Sequence, residues 1–137
     1  MTYDDQNIFA RIIRGELPAI KVYEDNRVLA FMDIMPQAEG HTLVIPKYPA
    51  VTLLDLDPAE AAYTIQIVQN VAKAMEKALD AKGIVLMQLS GASAGQTVPH
   101  VHFHLIPSSV HELGKHAMKM GDQDKIKALA EKIKSAL

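Results

Sequence analysis

The hydrophobic pattern changes period several times along this 137-residue chain. In IFARIIRGE, Ile8, Phe9, Ile12 and Ile13 recur at helical spacing, and Gly15 and Pro18 close the run. A short helix is predicted there. KVYED (21–25) and RVLAFMDI (27–34) are β-rich and flank Asp25-Asn26, which predicts two strands joined by a turn. HTLVIP (41–46) is a third β-rich run, closed by Pro46. A long helix follows. Asp57 suits its N-cap, Pro58 its first turn, and Gly83 its stop after about Lys82. Ile65, Val68, Ala72, Met75 and Leu79 draw a narrow apolar seam on it. Core packing explains such a seam, and so does a second copy of the chain covering part of it.

GIVLMQLS (83–90) is nearly continuous in apolar residues and is expected to be a central strand. SGASAGQ is a loop of small residues, and VPHVHFHLIP (98–107) is a fifth strand. A last helix starts near Asp122 and carries Ile126, Leu129, Ala130 and Ile133 on one side. The predicted fold is α+β: a five-stranded antiparallel sheet with a short N-terminal helix, a long helix and a C-terminal helix. The length suits one domain over residues 1–137.

Composition narrows the function classes. Apolar residues make up 49%, which fits a globular chain, and there is no cysteine, so disulfides, thiolate metal sites and a cysteine nucleophile are excluded. Lys and Arg number 14 against 16 Asp and Glu, a net charge of −2 without a basic stripe. No nucleic-acid polymer is expected as partner. No window approaches the ~20 apolar residues of a membrane span, and MTYDDQNIFARIIRGE lacks the apolar core of a signal peptide. A cytoplasmic location is expected, with no membrane partner.

The chemistry concentrates in PHVHFHLIP, where three of the chain's six histidines occupy alternate positions. On a strand, His100, His102 and His104 share one face, and Val101, Phe103 and Leu105 share the other. A strand rises ~3.3 Å per residue, so the outer two backbones lie ~13 Å apart. Metal–nitrogen bonds of ~2.0–2.1 Å make a three-histidine site on one straight strand unfavourable. Two of them, with His41 or a carboxylate, could still hold zinc. The middle imidazole, His102, has a neighbour on each side. Neutral imidazole attacks phosphorus and divides a hard displacement into two steps, with flanking histidines to hold the phosphate or move a proton. Gly95, Gln96 and Thr97, just upstream, offer close backbone approach and polar donors suited to phosphate oxygens.

HVHFHLI resembles the signature of the histidine triad family, His-φ-His-φ-His-φ-φ with φ apolar. The stretch IFARIIRGELPAIKVYEDNRVLAFMDIMPQAEGHTLVIPK resembles the family's N-terminal half, and AGQTVPHVHFHLIP its active-site segment. The likeness covers residues 7–107 and leaves 108–137 as a C-terminal extension. It implies a homodimer and a hydrolase or transferase. Such an enzyme cleaves a purine nucleoside monophosphate from a phosphate- or amine-linked group through a nucleotidyl-histidine, with no cofactor required.

By the same resemblance His102 is the nucleophile, the His100 carbonyl fixes its tautomer, His104 contacts phosphate, and His41 is a fourth site histidine. Asp33 binds ribose hydroxyls, Ile8, Phe9, Phe31 and Ile34 enclose the base, and Thr97 lies near phosphate, preceded by Gln96. The chain departs from the pattern at Leu89, where the family carries a nucleotide-binding amide; Gln88 is expected to face away. His111 and His116 in the extension are expected to face solvent. Two other readings stay open: a nucleotide-binding regulatory module with little turnover, and a zinc-dependent hydrolase using triad histidines.

Overall fold

A computed structural model describes residues 2–113 and 120–137. Asn7 caps the first helix, α1 (Ile8–Ile13), its carboxamide oxygen accepting from the Ala10 N–H. Gly15 ends that turn at φ +79°, a backbone that side chains disfavour. β1 (Lys21–Glu24) and β2 (Val28–Met32) form an antiparallel hairpin. Asp25 fixes its turn by accepting from the N–H groups of Arg27 and Val28, both at 2.8 Å. β3 is Thr42–Pro46, α2 is Pro58–Leu79, β4 is Val85–Met87, β5 is Phe103–Ile106 and α3 is Gln123–Ala136.

The strands form one antiparallel sheet in the order β1-β2-β3-β5-β4. Alternation sorts the sheet's side chains between two apolar layers. Val28, Ala30, Val44, Phe103 and Leu105 pack with α2 and α3, while Leu29, Phe31, Leu43 and Ile45 pack with Phe9 and Ile12 of α1. β2 and β3 are therefore buried at every position. α3 contributes Ile126, Ala130 and Ile133 to the first layer, as its predicted spacing requires. No helix among the described residues is long and apolar enough to cross a membrane.

Several expectations are corrected. GIVLMQLS yields only a three-residue strand at the sheet edge, not a central one, and Leu86 is 49% exposed. An apolar run signals burial on both faces only when neighbours flank it, and β4 has a single partner. α2 ends at Leu79, with Asp80 in the left-handed conformation (φ 49°), three residues short of the expected stop. Its buried face is Thr64, Ile67, Val68, Val71, Ala74 and Met75; Ile65, placed in the seam, is exposed. The stripe is thus broader than the seam and rotated from it. The paired part of the fifth strand starts at Phe103, not Val98, although Val101 continues the extended chain by donating to the Ala50 carbonyl at 2.9 Å. His111 is exposed as expected, and His116 lies outside the described residues.

Candidate active site

The histidine segment divides as its alternation predicts. Val101, Phe103 and Leu105 lie in the α2–α3 layer, and the three imidazoles lie on the α1 side. A cleft of about 540 Å³ opens on that side. Its apolar wall includes Ile8, Phe9, Phe31 and Ile34. Phe9 stands edge-on to Phe31 at 5.3 Å and to the His102 ring at 5.0 Å. Asp33, Gly95, Thr97, His102 and His104 bring the polar chemistry to the same cleft, and Leu89 lies beside them. Gly95 sits at φ +107°, and a Cβ there would stand 3.4 Å from the Leu89 side chain. A side chain at that position would be strained by its backbone.

Hydrogen bonds fix the proton on each ring. The His100 carbonyl lies 2.7 Å from His102 Nδ1. A carbonyl only accepts, so Nδ1 carries the proton and Nε2 keeps its lone pair for the cleft. At the other end the backbone N–H of Gln37 donates to His41 Nδ1 at 3.0 Å. The His41 proton is therefore on Nε2, which faces His104 Nδ1 at 2.9 Å. His104 Nδ1 accepts, and its own proton is on Nε2. One backbone amide thus sets two tautomers in succession. The result is a lone pair on His102 beside an N–H donor on His104, with ring centroids 4.9 Å apart.

Burial keeps these rings neutral. His41 and His100 are essentially inaccessible, at 1% and 0% exposed. Desolvation, helped by His104 and His102, lowers the His41 pKa to about 3. Asp33 Oδ2 at 3.5 Å pulls the other way, but burial raises the Asp33 pKa, which weakens that pull. Burial also takes His104 to about 4, and His100 to about 4 against the opposing bond to Pro46. His102 is lowered by burial too, against its bond to the His100 carbonyl. An imidazole so placed keeps its lone pair at neutral pH.

Gln96 departs from its expected place at a phosphate. Its Oε1 accepts from the Gly91 N–H at 2.8 Å, and its Nε2 donates to the carbonyls of Val51 and Val98 at 2.6 and 3.0 Å. Both donors are engaged in closing the 91–96 loop. Gln88 likewise bonds locally, to Leu89 O and Ser90 Oγ, and Leu89 alone of the pair reaches the cleft. Leu43 and Met87 pair with His104 across β3 and β5 and across β4 and β5, and both line the cleft. Sequence reasoning missed them; the alternation of Leu43 with Val44 placed it on the histidine face. It also missed Tyr3, which bonds to His100.

For a cation, one ligand atom each from Asp33, His41 and His104 lies within 4.8 Å of the others. The donor types suit zinc, but a metal on His41 Nε2 would have to displace the proton that the Gln37 bond places there. His100 is excluded from the set, since both of its ring nitrogens are bonded, to Tyr3 and to the Pro46 carbonyl; His102 is not one of the three. A metal there would have to part the His41–His104 hydrogen bond, because two tetrahedral nitrogen ligands stand about 3.3 Å apart.

A lone-pair imidazole and a neighbouring N–H donor, set in an apolar cleft, are the groups that nucleophilic displacement on a centre such as phosphorus requires. The model of the HIT domain family matches residues 14–111, and the chain belongs to that family. It is 42% identical over 113 residues to the adenosine 5'-monophosphoramidase of Saccharomyces cerevisiae, covering 82% of this chain and 69% of the relative. It is 34% identical over 126 residues to an adenylylsulfatase of Arabidopsis thaliana, covering 87% and 64%. The crystal structure of a Hit-like protein involved in cell-cycle regulation from Bartonella henselae, with an unknown ligand, superposes with a TM-score of 0.92. It has 47% sequence identity, and the match covers 100% of both chains.

Proposed function

We propose that the chain hydrolyses a purine nucleoside monophosphate from an amine, sulfate or phosphate to which it is joined. The observation that carries this reading is the 2.7 Å bond from His102 Nδ1 to the His100 carbonyl, which leaves Nε2 free beside the His104 donor. His102 Nε2 attacks phosphorus, and the bond to the leaving group breaks as the N–P bond forms. The ring becomes cationic, and the His100 carbonyl stabilises it through Nδ1–H. His104 Nε2–H donates to a phosphoryl oxygen and offsets the charge that develops there. An amine leaving group takes its proton from solvent as its bond to phosphorus breaks; water then cleaves the N–P bond to His102, returns a neutral imidazole, and gives a proton back to solvent. Ile8, Phe9, Phe31 and Ile34 enclose the base, Asp33 binds the ribose, and Thr97 stands at the phosphate end. The names of the yeast and plant relatives support an adenylyl substrate. No metal takes part in the covalent step. The chain works in the cytoplasm as a homodimer, for which light scattering at micromolar concentration is the test.

The test of the reaction is a panel of adenosine phosphoramidate, adenylyl sulfate and a diadenosine polyphosphate, compared by kcat/KM. Release of AMP from the phosphoramidate is expected. Tight binding of AMP without release from any of the three would overturn the hydrolase and leave a regulatory nucleotide-binding module. A second reading rests on the Asp33, His41 and His104 donors: zinc held there would make the site a metallohydrolase. Activity lost to a chelator and restored by zinc would establish that reading; activity unchanged by chelator is the result expected here.

A further inference from the structure

His100 does not line the cleft, yet both edges of its ring are bonded. Its Nε2 lies 2.8 Å from the Pro46 carbonyl, at the end of β3. That carbonyl can only accept, so Nε2 carries the proton and Nδ1 is a lone pair. Tyr3 Oη lies 2.5 Å from this Nδ1 and must be the donor. The Tyr3 ring also meets the His100 ring edge-on at 5.6 Å. Burial pushes the Tyr3 phenol upward, so the hydroxyl keeps the proton it donates. The segment that carries Tyr3 is held independently of the histidines. Asn7 Nδ2 donates to Asp4 O at 2.7 Å, and Arg14 Nη1 donates to Asp5 O at 2.7 Å.

We infer that Tyr3 is a positioning residue: its hydroxyl locks His100 as the neutral Nε2–H tautomer and so holds the His100 carbonyl on His102 Nδ1. This rests on the reading of His102 as the nucleophile. The chain of contacts is short. Tyr3 and Pro46 clamp one ring, that ring sets the orientation of its own peptide, and the peptide carbonyl sets the proton on His102. Without the hydroxyl, Nδ1 is a buried acceptor with no donor. The ring then turns toward another partner, and that turn moves the carbonyl that aims the nucleophile.

Tyr3→Phe keeps the ring contact and deletes only the donor. In this variant kcat is expected to fall about tenfold with KM nearly unchanged, the pattern of a group that acts through another. Histidine nitrogen NMR on the full chain reads the tautomer directly. The parent should show His100 as neutral Nε2–H, and Tyr3→Phe should shift both His100 and His102 nitrogens. A second variant separates positioning from folding: in a His100→Ala background, adding Tyr3→Phe should change kcat less than about twofold. Unchanged kcat in Tyr3→Phe, or the same tenfold loss without the His100 ring, overturns the inference. If the parent protein shows no turnover, the hydrolase reading fails while the NMR arm still decides this one. Shifted His102 nitrogens in Tyr3→Phe then support the clamp, and unmoved nitrogens overturn it.

Discussion

The two faces of the segment from His100 to Phe103 are buried almost equally and built on opposite rules. Val101 and Phe103 are 0% and 4% exposed; His100 and His102 are 0% and 5%. On the α2–α3 side the side chains need only shape. On the α1 side each ring has its own directed partner: Tyr3 and Pro46 for His100, the His100 carbonyl for His102, His41 for His104. Burial alone therefore does not separate core from site in this strand. Direction of hydrogen bonding does, because it decides which nitrogen holds a proton and which keeps a lone pair.

The comparison breaks most sharply at His102. His102→Ala should lower kcat by about 10⁴-fold or more while AMP still binds, since the nucleophile is lost and the cleft wall remains. Steady-state assays with a phosphoramidate, together with calorimetric titration of AMP, check both halves. Next in size is the other face. Phe103→Ala should destabilise the fold by about 3–5 kcal/mol, measured by urea denaturation, with kcat per folded molecule little changed. His104→Ala should cost about 10²–10³ in kcat, the loss of one transition-state donor, and much less in stability than Phe103→Ala. A loss of stability at His104 equal to that at Phe103 would erase the distinction between the faces.

Leu89 sharpens the comparison by the smallest step. It is an apolar side chain on the cleft side, where a polar one would have a ligand to bond. Leu89→Asn should improve nucleotide affinity by about 0.5–1.5 kcal/mol at most, a shift within about tenfold in KM. Unaltered KM for every substrate in the panel would mean that position 89 does not touch the nucleotide.

Much of this was legible in the sequence, for a physical reason. Period-two alternation is a local property, so His100, His102 and His104 could be assigned to one face, and the helix signals at Asp57, Pro58 and Asp122 could be read in place. Partnerships across the chain were not legible from local pattern: His41 was placed beside the triad by the family resemblance, and Tyr3 not at all. His41 meets His104 across 63 residues, and Tyr3 meets His100 across 97. No local rule pairs them. The reading of 83–90 as central failed because a run of apolar residues does not say how many strands flank it. Gln96 failed for a related reason: its amide donors suit phosphate and suit backbone carbonyls equally, and the nearby Val51 and Val98 carbonyls engage both.

The central claim is the covalent step at His102 Nε2. The most direct measurement mixes the protein with an adenosine phosphoramidate, stops it in alkaline denaturant within the first turnover, and weighs the intact chain. A population heavier by one nucleoside monophosphate is expected, with the addition mapped to His102 by fragmentation and absent from His102→Ala. Turnover that releases AMP with no such adduct at any time within the first cycle would contradict it.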